Sequence, residues 1–98
     1  MRKRRIIPTI PADFFEDAEN KVKYQRILYN SIIEGVEQSL AKGKSNFIMA
    51  RVNDGKHLKD ISVLEDAFKS NLETVLDFYE QQEEYELCSK TLELINKI

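Results

Sequence analysis

A chain of 98 residues with a single cysteine holds one domain with a modest core and no internal disulfide or cysteine-based metal site. The net charge of −2 hides three regions: +4 over residues 1–5, neutrality over 6–61, and nine acids against three bases over 62–98. This layout points to partners held by charge and says nothing of chemistry. No stretch approaches the ~18 apolar residues of a membrane span. The run Ile6–Pro11 is too short and proline-broken for the apolar core of a secretion signal. A reducing, cytoplasmic setting is therefore expected, with no membrane partner.

Residues 1–12 read as a basic, proline-bounded extended arm, and residues 13–98 as a single helical domain. Arg2, Lys3, Arg4 and Arg5 open the arm, and Pro8 and Pro11 push Ile7 and Ile10 toward extended geometry. Ile6, Ile7 and Ile10 are hard to leave in water, so the arm is expected to be a strap docked on the body or on a partner.

Asp13 reads as an N-cap with Glu16 in capping-box position. Phe14, Ala18, Val22, Leu28, Ile32, Val36 and Leu40 follow at or near helical spacing, with Phe15, Ile27 and Ile33 widening the stripe. Gly43 is the stop signal. The first helix is expected over 13–42, with a break near Asn20 left open. Residues 46–52 suit a short strand and Asn53-Asp54-Gly55 a turn. The strand's partner is open between a hairpin through Lys56–Ile61, whose second arm is very polar, and the isoleucine arm. Ser62-Val63-Leu64-Glu65 reads as a capping box that starts a second helix, running to about Gln81. A turn at Gln82-Glu83-Glu84 then leads to a third, carrying Tyr85, Cys88, Leu92, Ile95 and Ile98.

Glu84-Tyr85-Glu86-Leu87-Cys88-Ser89, with Ile95 ten residues after Tyr85, resembles the second helix of the UVR-type helical hairpin of excision-repair proteins. That pattern has Arg-Asp where this chain has Leu92-Glu93, and an apolar residue at Thr91. The resemblance implies a helical hairpin used for protein contacts and no further function.

Chemistry-bearing residues are sparse. His57 is the only histidine and reads as a surface-loop residue. Cys88 lies on an apolar stripe of an acidic helix, the reverse of what a reactive thiolate needs. Glu80, Glu83, Glu84 and Glu86 read as a solvated face. Gly35, Gly43 and Gly55 are too scattered for a phosphate loop. No cofactor is expected, and no enzyme. Lys42, Lys44, Arg51, Lys56 and Lys59 could join Arg2, Lys3, Arg4 and Arg5 in one basic patch for nucleic acid or for an acidic protein surface.

The expected fold is mainly α, a three-helix arrangement: a long first helix plus a C-terminal helical hairpin, with a short extended arm and a possible short strand. Phe14, Phe15, Phe47, Tyr24 and Tyr29 exceed what one small core needs, which suggests a homo-oligomer. The expected function is a small non-enzymatic interaction or regulatory protein, of the kind frequent among accessory factors of phages and mobile elements. A nucleic-acid-associated accessory protein using the arm and central loop is the alternative.

Overall fold

The computed structural model describes residues 7–16, 18–43 and 46–98. They form β1 (Thr9–Pro11), a 3-10 turn (Phe14–Glu16), α1 (Lys21–Lys42), β2 (Phe47–Asn53), β3 (Leu58–Val63), a second 3-10 turn (Glu65–Ala67), α2 (Phe68–Gln81) and α3 (Tyr85–Asn96). The expectation of a mainly α protein is overturned. Three helices pack with a three-stranded mixed sheet of order β1-β2-β3, which makes the fold α+β.

Both partners considered for the central strand are present, one on each side. β1 pairs parallel with β2, placing Thr9 opposite Arg51, and β3 pairs antiparallel, placing Asp60 opposite Arg51. The polarity of Lys56–Ile61 argued against a strand, yet an edge strand tolerates it. Leu58, Lys59 and Asp60 are exposed, and only Val63 is fully buried.

Parallel pairing of β1 and β2 requires α1 to run back between them. The reversal occupies residues 12–20, so α1 starts at Lys21 and not at Asp13. Asp13 caps no long helix; its carbonyl accepts the Glu16 N–H at 2.9 Å in a 3-10 turn. Gly43, in the left-handed region at φ 68°, closes α1 and donates its N–H to the Ser39 carbonyl.

α1 buries Leu28, Ile32, Ile33 and Val36, and also the small residues Ser31, Gly35 and Ser39. Those three recur at i, i+4 and i+8, a stripe that lets β2 approach the helix closely. Met49 is the extra residue of a bulge in β2, and its carbonyl accepts the Ser31 hydroxyl at 2.5 Å. Two apolar clusters result. Ile10, Phe14, Leu28 and Ala50 form the smaller one. The larger joins Ile32, Ile33 and Val36 to Val63, to Phe68, Leu72, Val75, Phe78 and Tyr79 of α2, and to Cys88 and Leu94 of α3. Phe14 is buried, and Tyr24, Tyr29 and Phe47 pack against these same clusters. The side chain of Phe15 lies outside the described residues. The four described aromatic residues thus all contribute to the chain's own core.

The capping box at Ser62 is not used as one. Ser62 sits in β3 opposite Ile48. The N–H of Glu65 is instead met by the Asn46 side-chain oxygen at 3.3 Å, from nineteen residues away. The turn at Gln82–Glu84 falls where the sequence suggested. Glu84 N–H donates to the Tyr79 carbonyl at 3.0 Å and Glu83 N–H to the Glu80 carbonyl at 3.1 Å, a Schellman closure normally served by glycine. Here Glu83 holds φ 58°. Glu83→Gly is therefore expected to stabilise the protein by about 0.5–1 kcal/mol, offset in part by glycine's larger unfolded-state entropy. A lower urea midpoint than the parent's would contradict this.

Candidate interaction surfaces

The hairpin α2–α3 carries the acidic surplus outward, because its apolar faces are spent on the core. Of the nine acidic side chains beyond residue 61, all but Glu84 are exposed. Glu73, Asp77 and Glu80 recur at i, i+4 and i+7, so they share one outer stripe of α2. On α3, Tyr85 and Leu92 are 66% and 46% exposed, two turns apart.

Glu84 departs from the expected solvated face. Its carboxylate accepts from the Arg26 guanidinium of α1, which also donates to the Gln82 side-chain oxygen at 3.3 Å and lies 5.9 Å from the Phe78 ring centroid. The second oxygen of Glu84 is buried with no hydrogen-bond partner among the described residues. Beside it, the Tyr79 hydroxyl donates to the Asn30 side-chain oxygen at 2.5 Å. Burial first, and the Glu84 carboxylate next, push Tyr79 up to about 12, so the phenol stays protonated and keeps donating. This group ties α1 to the α2–α3 turn. No local pattern announces it, because Arg26 and Glu84 are 58 residues apart.

Cys88 is a free, buried thiol, and burial followed by the carboxylates of Glu80 and Glu84 pushes its pKa up. It is poorly placed to act as a nucleophile. His57 is exposed in the β2–β3 turn. Among the described residues no group of three or more His, Cys, Asp or Glu is placed to hold a metal ion.

Among the described residues, the bases of the expected patch are spread along β2 and the β2–β3 turn. Arg2, Lys3, Arg4, Arg5 and Lys44 lie outside the described residues. Lys42 is exposed on the last turn of α1, at the Phe47 end of β2. Lys56 lies beyond the other end of that strand, six residue steps or roughly 20 Å away. Arg51, between them, gives its Nε–H to Asp60 Oδ1 at 3.1 Å. Lys59 is exposed on β3 opposite Val52. Lys56, His57 and Lys59 therefore cluster at the hairpin tip. The turn is held by Asp54 Oδ1, which accepts the N–H groups of His57 at 2.7 Å and Lys56 at 2.9 Å. The His57 bond first, and the Lys56 bond next, hold the Asp54 carboxyl below its usual range.

Two open clefts accompany these surfaces. One, about 660 Å³, lies between Thr9–Asp13, Tyr24 and Asn53–Gly55. The other, about 610 Å³, is lined by Asn46, Leu64, Glu65, Asp66 and Ile98. No helix among the described residues is long and apolar enough to cross a membrane. Comparison with known proteins returns no matching family, no matching curated protein and no matching solved structure, and the resemblance to the UVR-type hairpin finds no support there.

Proposed function

We propose that this chain is a small, non-enzymatic, cytoplasmic protein-binding protein, regulatory or accessory to its partner. Its recognition surface is the outer face of the α2–α3 hairpin. The exposed stripe Glu73–Asp77–Glu80 is the observation that supports this reading most. Acidic side chains aligned on a rigid helix, with no apolar duty of their own, steer a basic partner surface into one orientation. Tyr85 and Leu92 offer apolar contact area on α3, where self-association would also occur.

Replacing Glu73, Asp77 and Glu80 together with lysine tests it. These surface changes should each move stability by no more than about 0.5 kcal/mol. Association with a protein partner captured from nuclease-treated native lysate should slow at least ~10-fold and lose its salt dependence. A partner retained equally by parent and variant would sink the proposal.

Nucleic-acid association is a second reading, supported by the exposed Lys56 and Lys59 at the hairpin tip. On this reading Lys56→Gln with Lys59→Gln lowers the slope of log affinity against log salt by about 2 on duplex DNA. An unchanged slope removes the tip from any such contact.

A further inference from the structure

We propose that two copies of this chain pair antiparallel through the outer edge of β3, joining their two sheets into one. In the order β1-β2-β3, β3 is an outermost strand among the described residues. It contains no proline, and the extra residue of the bulge lies in β2, so its own backbone is regular. Such an edge is a template for a further strand. Leu58 and Leu64 are 61% and 52% exposed at its two ends. Leu64 keeps an extended backbone at φ −84° and ψ 154°. The stretch open to pairing is therefore residues 58–64, centred on Ile61.

Hydrogen bonds on the other side of β2 fix which groups face outward. The Arg51 N–H donates to the Pro8 carbonyl at 2.8 Å, and the Asn53 carbonyl accepts the Ala12 N–H at 2.9 Å. Both residues thus turn their backbone toward β1. Their partners across the antiparallel ladder, Asp60 and Leu58, turn theirs to the outer edge, and by alternation so do Ser62 and Leu64. A two-fold axis at Ile61 matches these groups completely. Asp60 then pairs with the second copy's Ser62 and Leu58 with its Leu64, about six hydrogen bonds in all.

Side chains and charge select the same register. The exposed leucines meet each other and Ile61 meets its own copy. The Asp60 carboxylate, paired with Arg51 at 3.1 Å, faces the Ser62 hydroxyl. The next symmetric register toward the β2–β3 turn sets Asp60 opposite Asp60, and the one after it Lys59 opposite Lys59. Like charges placed directly opposite are destabilising. A shift the other way sets Asp60 against Leu64. Val63, buried in the larger cluster with α2, lies opposite the second copy's exposed Lys59, so the covered end of one strand meets the open end of the other.

The test is the mass of the full chain by light scattering over a micromolar dilution series, which should reach that of two chains. Amide exchange at Asp60 and Ser62 should slow at least ~10-fold at the concentrated end, while Lys59 and Ile61, bonded to β2, stay protected throughout. Leu58→Lys with Leu64→Lys sets like charges opposite each other and should weaken the dimer at least ~10-fold. Mixing that chain with one carrying Leu58→Glu and Leu64→Glu should regain the mass of two. Protection at Lys59 and Ile61 shows that both variants are folded. Leu92→Lys, on the outer face of α3, should leave the dimer unchanged. A parent that stays a single chain overturns the proposal, whether or not another protein protects Asp60 and Ser62. So does a dimer that survives the lysine pair, a mixture that stays monomeric, or a dimer lost in Leu92→Lys, which would move the contact to α3.

Discussion

Gly35→Ala is expected to destabilise the protein by about 2 kcal/mol, although alanine is the better helix former by about 1 kcal/mol. A β-carbon at Gly35 would meet three ring carbons of Phe47 at 2.1–2.6 Å. That ring cannot simply swing away, because it packs against Phe68 with centroids 5.6 Å apart, and Phe68 is itself buried. Overpacking of this kind costs roughly 1–3 kcal/mol, and the closeness of the clash puts Gly35 at the upper end. Adding Phe47→Leu to Gly35→Ala should recover more than half of the loss, the non-additivity expected of residues in contact. Urea denaturation at constant slope measures both, and a Gly35→Ala protein as stable as the parent would show that α1 and β2 are not so closely seated.

The second large effect is expected at Arg26. Arg26→Met removes the hydrogen bond that the Glu84 carboxylate accepts, and among the described residues its other oxygen is already buried without a partner. The side chains are 37% and 33% exposed, so the loss falls between that of a surface pair and that of a buried one, about 2 kcal/mol. Arg26→Lys should restore less than half, because a single ammonium replaces a planar fork that serves Glu84 and Gln82 together. Arg26→Met with Glu84→Gln should regain at least half, since no unpaired charge is then left beside Phe78 and Tyr79. If the double variant is no more stable than Arg26→Met alone, the cost lies in lost packing over Phe78 and not in the charge.

What the sequence disclosed was what short-range pattern can carry. The apolar stripes of α2 and α3, the turn between them and the central strand all follow from residues within a few positions of one another. The errors share a cause at longer range. Ser62-Val63-Leu64-Glu65 satisfies a local helix-start pattern, but Ser62 is drawn into a ladder opposite Ile48, fourteen residues back. The solvated residues of β3 look like loop until the strand is known to lie at a sheet edge. Ser31, Gly35 and Ser39 are a legible small-residue stripe, and reading only the large apolar positions passed over it. Glu84 is indistinguishable in sequence from Glu80, Glu83 and Glu86; only the fold sets it against Arg26. Of the expected basic patch, the described Lys42 and Lys56 lie at opposite ends of a seven-residue strand, a separation that closeness in sequence does not reveal.

The parallel seating of β1 also sets an order of events during synthesis. Thr9 is synthesised 42 residues before Arg51, the strand partner it needs. At ordinary elongation rates that interval is roughly 2–8 seconds. Throughout it Ile10, which is 1% exposed in the finished fold, has no sheet to cover it, and four cations stand a few residues upstream. The nascent chain therefore carries an uncovered aliphatic segment beside a run of cations until pairing with β2 withdraws it.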